Sequence, residues 1–242
     1  MSSQAKKITI ILAIIIVAFG IIIGLLAYYQ AQGFIKVFPT QEDKRIELIL
    51  EIDREKFQPA ENLDSESFEK VINELIKQKD VVLVDPENAT AWHDFALLKQ
   101  FLNDHQGAID AWEMSYELQS YNFRTALNLA TTYQYFIKDY EKAEDYYNKV
   151  LELQPGMTSA FSGLMDLYRY NFEDKYDKYE PLVLQAIEKD PANTASYYSN
   201  LVDFFVSDNY YDKNKAVFYW NKTNEIDSAK ANSLLESYPD LR

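Results

Sequence analysis

The stretch Ala126-Leu127-Asn128-Leu129-Ala130-Thr131-Thr132-Tyr133, followed by Ala143, Tyr147 and Pro155, decides the fold. Ala126, Leu129, Ala130 and Tyr133 stand at i, i+3, i+4 and i+7, which is one stripe of an α-helix. Ala143 and Tyr147, four apart, share a face of a second helix, and Pro155 marks its stop. The small residues let two helices approach closely, and the rings fill the space beside them.

The pattern recurs in phase. Before it stand Trp92, Phe95 and Ala96, then Ala108, Trp112 and Ser115, with Ser120 in the place of the closing proline. After it come Phe161, Leu164, Met165 and Tyr168, then Tyr179, Val183, Ala186 and Pro191. A further unit reads Tyr198, Leu201, Val202 and Phe205, then Ala216, Trp220 and Thr223. The first-helix anchors at 92, 126, 161 and 198 are 34, 35 and 37 apart. The extra residues are expected in the turns around Ile137-Lys138, Asn171–Asp177 and Asp208–Asn214, where insertions cost little. Pro181 must then lie in the first turn of its helix, and Asp104 is a good cap for the helix that follows it.

These units resemble the tetratricopeptide repeat (TPR), a helix–turn–helix motif of about 34 residues. The resemblance covers residues 85–227, or 41–238 with a degenerate first pair and a closing helix. It implies an all-α fold, an α-solenoid of stacked repeats in which neighbours bury one another's apolar faces. The expected organisation is a tail at 1–7, a transmembrane helix at 8–29, a linker at 30–40, a degenerate helical hairpin at 41–86, four TPR-like repeats at 87–227 and a capping helix at 228–242. Ser120 for proline, Met165 and Val202 for the small residue, and Tyr179 for alanine depart from the family pattern.

Composition agrees with helices. Hydrophobic residues make up 48% and charged residues 26%, while Gly (6) and Pro (7) are scarce, which argues against a many-turned β fold. Cys is absent, so disulfides and thiolate chemistry are excluded. The net charge is −14. Residues 1–39 carry Lys6, Lys7 and Lys36 and no acid, which leaves −17 for the rest. Such a domain repels phosphate backbones, so no nucleic acid is expected as partner.

From Ile8 to Tyr29 no side chain is charged. As a helix at about 1.5 Å per residue this run reaches roughly 33 Å, enough for a hydrocarbon core of about 30 Å. Tyr28 and Tyr29 fall where an interfacial aromatic belt lies. A cleavable signal peptide is the competing reading. The apolar run exceeds the usual core of about 7–15 residues, and no clean Ala-x-Ala site follows. Lys6 and Lys7 before the span, against Lys36 close after it, favour a cytoplasmic amino terminus and an extracytoplasmic domain. Gly20 and Gly24 fit the small-xxx-small pattern of a weak homodimer, although glycines are common in such helices.

Between anchor and array, Thr40 is expected to cap a helix carrying Ile46, Ile49, Leu50 and Phe57 and ending at Gln58-Pro59-Ala60. A second helix starts at Asp64 or Ser65, with Phe68, Val71, Ile72, Leu75, Ile76 and Leu83 on its apolar side. A stalk rising from the membrane is the alternative to a packed hairpin.

The family resemblance implies a concave groove lined by the first helices. By repeat position its candidates are His93, Leu97, Gln100, Leu127, Asn128, Thr131, Gln134, Ser162, Asp166, Arg169, Ser199 and Asp203, with Arg124 and Tyr135 beside them. Family members that clamp a chaperone's carboxyl terminus use a Lys/Asn/Arg set. Here His93 and Leu97 stand where Lys and Asn are needed, and only Asn128 matches, which argues against that ligand. Most of the 19 Tyr coincide with core positions; Tyr135 and Tyr170 are a surplus suited to peptide contact. With only His93 and His105 and no Cys, no metal site and no cofactor are expected. No nucleophile elbow or phosphate loop is present, so no catalytic residue is assigned. Asn88-Ala89-Thr90 and Asn221-Lys222-Thr223 fit the glycosylation pattern, a short match that arises by chance. The expected function is a membrane-anchored scaffold that binds a protein or peptide, serving secretion, envelope or pilus assembly, or chaperoning. A cytoplasm-facing polypeptide receptor and an accessory subunit of a membrane enzyme complex are the alternatives.

Overall fold

The computed structural model describes residues 3–31, 41–57, 64–172, 174–207 and 209–241. The expected linker beyond residue 31, the cap at Thr40, the stop at Pro59, Glu173 and Asp208 lie outside the described residues. All regular elements among the described residues are helical. The chain forms two compact units, Met1–Ile52 and Asp53–Arg242.

The first unit holds α1 (Ser3–Ala31) and α2 (Gln41–Ile49). Helix α1 covers the run without charge. Among the described residues, no helix is long and apolar enough to cross a membrane. A Cβ at Gly20 or Gly24 would meet nothing within 4 Å. Helix α2 stops at Ile49, short of the expected Phe57. Asp53 explains this: its carboxylate accepts from the Glu55 amide and starts a separate 3-10 turn at Arg54–Lys56. The division between units thus falls inside the stretch expected as a hairpin.

The second unit opens with α3 (Ser65–Val84), capped by Asp64, whose carboxylate accepts from the Ser67 amide at 2.8 Å. Ile72, Leu75 and Val82 are its buried side. Ile76 and Leu83, expected inside, are exposed instead. Helix α3 meets the array through Gln78, whose amide donates to the Ala91 carbonyl.

Four helix pairs follow: α4 (Ala89–Phe101) with α5 (His105–Leu118), α6 (Phe123–Thr132) with α7 (Tyr140–Leu153), α8 (Thr158–Asp166) with α9 (Tyr179–Lys189), and α10 (Thr194–Phe205) with α11 (Lys213–Ile226). Their starts are written in the sequence. Asn88 and Asn122 cap α4 and α6, and Asp104, Asp139 and Asp212 cap α5, α7 and α11. The pair α8 and α9 lacks side-chain caps, and Pro181 sits in the first turn of α9. The motif residues of the first two pairs, from Trp92 to Ser115 and from Ala126 to Tyr147, are buried.

The irregular spacings have a local cause. Ala126 to Ala143 is one residue longer than Trp92 to Ala108, and the first helix of that pair ends in a π-turn at Tyr133–Ile137. A second π-turn, at Leu167–Asn171, ends the first helix of the next pair. A π-turn absorbs an inserted residue without breaking the helix. Lys138 then leaves the first of these in the left-handed region, with φ 64°.

The last pair shifts register. Tyr197 is buried and Tyr198 only half-buried, because a 3-10 turn at Pro191–Asn193 leads into α10. That turn advances by about 120° per residue rather than about 100° and rotates the entering face. Trp220 is likewise half-buried, with Tyr219 inside. The Trp220 indole donates to the Ala231 carbonyl of α12 (Ser228–Ser237) at 2.9 Å. Helix α12 bears Ala231, Leu234, Leu235 and Tyr238, the same spacing as Ala126, Leu129, Ala130 and Tyr133. The capping helix is therefore patterned as a further first helix whose outer residues, Asn232, Ser233 and Glu236, are exposed.

Junctions between pairs share one device. A carboxylate on a second helix receives a tyrosine hydroxyl from the following pair, with a lysine alongside. Tyr133 donates to Glu113 at 2.7 Å, and the Lys142 ammonium lies 3.1 Å from that hydroxyl. Tyr168 donates to Glu144 at 2.7 Å, where Lys175 and Lys178 also bind. Tyr219 and Lys215 both reach Glu180 at 2.5 Å. The tyrosines are thus both packing and pairing residues.

Candidate functional site

The candidate groove is built on the first helices, which hydrogen bonds join in succession. His93 Nδ1 lies 2.9 Å from Thr125 Oγ1, tying α4 to α6. Tyr135 donates to Asp166 at 3.2 Å, tying the first π-turn to α8. Arg169 Nη2 donates to the Asp203 carbonyl at 3.1 Å, tying the second π-turn to α10. Tyr238, at the end of α12, hydrogen-bonds the Asp203 carboxylate. The wall is therefore continuous from α4 to α12.

These contacts sort the expected site residues. Gln134 does not face a partner: it is buried, and its Oε1 accepts the Tyr147 hydroxyl at 2.7 Å. The π-turn that takes up the extra residue turns this side chain inward. Thr131 spends its hydroxyl on the Leu127 and Asn128 carbonyls of its own helix, both at 3.0 Å. Gln100 is held by His105 at 3.0 Å, whose ring stacks on Phe136. His93 is half-buried against Thr125, and burial holds its pKa below the ordinary value, with Arg124 adding to the effect against Asp94. It is a neutral structural hydrogen-bonding residue at pH 7.

Asp203 is half-buried. Burial raises its pKa, while the Tyr238 hydroxyl and the Arg169 charge work the other way. Burial also raises the Tyr135 hydroxyl, with Asp166 adding to it.

What remains for a ligand is a shorter set. Leu97 and Arg124 are exposed, and Leu127 is half-buried. Among the described residues, no hydrogen bond engages the side chains of Asn128, Ser162 or Ser199, which offer amide and hydroxyl groups along the wall. Arg124 lies over the Phe123 ring, 5.2 Å from its centre, and Arg169 over the Tyr170 ring at 5.1 Å.

One residue of this surface escaped the sequence reading. Phe101, Tyr135 and Tyr170 are all exposed, by 49%, 55% and 67%. Each stands nine residues after its anchor at Trp92, Ala126 or Phe161, so one repeat position carries an aromatic in three successive pairs. Alignment of the repeats at that position would have found Phe101.

Both glycosylation matches are occupied by structure. Asn88 caps α4 by accepting from the Ala91 amide, while Asn221 donates to Val217 within α11 and Thr223 is fully buried.

The stacked helix pairs have counterparts among solved structures. YrrB, described as a TPR protein with an unusual peptide-binding site, is 19% identical, with a TM-score of 0.52 over 71% of this chain and 86% of that one. MamA is 15% identical, with a TM-score of 0.53 over 81% of this chain and 96% of that one. The fold is that of tetratricopeptide-repeat proteins. No family model and no curated protein matches the chain. The helix pairs α4–α5, α6–α7, α8–α9 and α10–α11 build this fold, and the candidate groove is the wall of first helices described above.

Proposed function

We propose that this protein is a membrane-anchored interaction scaffold that holds a protein or peptide partner in its TPR groove. The observation that carries this reading is the division of labour on the first helices. One set of side chains bonds helix to helix and fixes the wall, while Leu97, Leu127 and Asn128 stand on it outside those bonds, beside Arg124 over its Phe123 ring. A rigid wall with unspent side chains is a preorganised binding surface, which lowers the ordering cost of association. The peptide-binding site of YrrB, a protein of similar fold, supports a peptide or protein as the occupant. The reading includes no enzymatic activity.

The anchor rests on the uncharged run from Ile8 to Tyr29, its helical form and the lysines before it. In this reading the amino terminus is cytoplasmic and the TPR domain extracytoplasmic. Tethering confines the groove to a surface and raises the effective concentration of partners there. The open Gly20 and Gly24 face is available to a second copy of the helix.

A photo-crosslinking amino acid at Leu127, compared with one at Asn148 on the exposed side of α7, tests the groove in the native cell. The expected result is a defined partner crosslinked from 127 and not from 148; equal capture from both positions overturns the groove. Alkaline extraction and protease protection in intact cells test the anchor. The expected protein stays with the membrane and loses its TPR domain to external protease. Extraction into the soluble fraction overturns the anchor, and a protected domain overturns the orientation.

A further inference from the structure

We infer that the wall has a concealed subsite at Trp112, which takes the carboxamide oxygen of an asparagine or glutamine side chain of the partner. This rests on the proposed function and names one chemical group of the partner.

The first observation is an unpaired donor. Trp112 of α5 is 2% exposed, and its indole Nε1–H has no hydrogen-bond partner among the described residues. A buried donor without an acceptor costs the fold its desolvation with nothing in return. Other rings of the array are served. The Trp92 indole donates to the Pro86 carbonyl and the Trp220 indole to the Ala231 carbonyl, while Tyr133, Tyr168 and Tyr219 donate to glutamates.

The second observation says which group is missing. Trp112 stands four residues after Ala108, as Tyr147 stands four after Ala143, so the two share a repeat position. In the pair α6–α7 that position is satisfied by a carboxamide, because Tyr147 donates to Gln134 Oε1 at 2.7 Å. Gln100 holds the place of Gln134 in the pair before, but its Oε1 lies 3.0 Å from His105 Nδ1. Helix α4 runs to Phe101 without the π-turn that directs Gln134 inward. The pair α4–α5 thus keeps the donor of this bond and lacks its acceptor.

The third observation is the way in. The His93 ring is centred 6.4 Å from the Trp112 ring and tilted 50° to it. His93 belongs to the groove wall and is half-buried, so it stands between the groove and the indole. The neutral ring is held by Thr125, and turning it aside costs one uncharged hydrogen bond. The entrance favours a neutral group. Asp94 and Arg124 act on His93 in opposite senses, and the Arg124 guanidinium is exposed over the Phe123 ring. A carboxylate buried at Trp112 would give up its hydration for one N–H, whereas a carboxamide gives up far less.

The test follows the indole N–H signals of full-length protein carrying isotope-labelled tryptophan, in detergent, with Trp112→Phe assigning the signal. Propionamide, the glutamine side chain without its backbone, is the probe, and propionate is the charged control. The expected Trp112 signal starts upfield of those of Trp92 and Trp220 and moves downfield saturably with propionamide, while the other two stay. His93→Ala, which removes the ring at the entrance, should bind propionamide severalfold more tightly. A Trp112 signal already downfield in the free protein, no saturable shift, or an equal shift with propionate overturns the inference. Trp112→Phe also separates the two levels, since it keeps a ring and removes the N–H. The partner crosslinked from residue 127 should bind this variant severalfold more weakly, with a thermal midpoint that is not lowered. If that affinity is unchanged, the groove stands and the subsite falls. If no partner crosslinks from 127, the proposed function falls, and the propionamide titration still decides the subsite.

Discussion

The ring of Tyr147, on α7, fills the space that a side chain at residue 163 of α8 would need. A Cβ on Gly163 would overlap Cζ and Oη of that ring. The ring is itself fixed, being 1% exposed and hydrogen-bonded to Gln134. Gly163→Ala gains about 1 kcal/mol of helix propensity but overpacks a rigid site, which costs about 1–3 kcal/mol and more where nothing can yield. The expected outcome is a net loss of about 2 kcal/mol, read from the urea midpoint. A more stable variant would show that the ring moves.

Glu144 supplies the pH dependence. Burial pushes its carboxyl up, but the hydrogen bonds from Lys175, Lys178 and Tyr168 outweigh burial and hold it below the ordinary value of 4.5. A carboxyl lowered on folding contributes stability that is complete above its unfolded pKa and is lost as pH falls through its folded pKa. Glu144→Gln should therefore be less stable than the native chain at pH 7, and the gap should be smaller at an acid pH below the carboxyl's folded value, which itself lies under 4.5. Unfolding free energies at both pH values check this; a gap that is constant with pH would mean the carboxylate charge does nothing.

Two tryptophans, Trp92 on a first helix and Trp220 on a second, make a graded pair. Trp92 is fully buried and donates to the Pro86 carbonyl at 2.8 Å, whereas Trp220 is half-buried against α12. Trp92→Ala should cost about 3–5 kcal/mol and Trp220→Ala about 2 kcal/mol. Denaturant titration of the two variants gives the order, and a larger loss at Trp220 would contradict the burial described.

Lys138 ends the first π-turn in the left-handed region, which costs a residue with a Cβ about 1–2 kcal/mol. Glycine avoids that cost but loses about 0.5–1 kcal/mol to unfolded-state entropy. Lys138→Gly should raise stability by about 0.5 kcal/mol, visible as a higher thermal midpoint. A lower midpoint would show that the lysine side chain stabilises this turn.

The repeat architecture was legible because it rests on periodicity, and Trp92, Ala96, Ala126, Tyr133, Phe161 and Val183 went where the spacing put them. Single-residue phase was harder. Tyr197 replaces Tyr198 in the core because of a preceding 3-10 turn, and no hydrophobic count reveals a turn's pitch. Helix α2 ended early because Asp53 caps a competing turn. Gln134 illustrates the limit at the site: its polarity suits a groove, yet the π-turn directs it to Tyr147. The Glu144 cluster draws Lys175 and Lys178 from the following helix pair, and such pairs appear only once the stack is built. Phe101 was within reach, since it repeats the position of Tyr135 and Tyr170.

In the proposed function, partner choice resides on the first-helix wall. The most direct test is the dissociation constant of the partner captured by crosslinking from residue 127, measured for three full-length proteins. These are the native chain, Leu127→Glu with Asn128→Ala, and Asn148→Asp on the outer side of α7. The expected result is at least a tenfold loss for the groove variant and an unchanged constant for the outer one, with equal thermal midpoints. An unchanged constant for the groove variant, or an equal loss at Asn148, would contradict it.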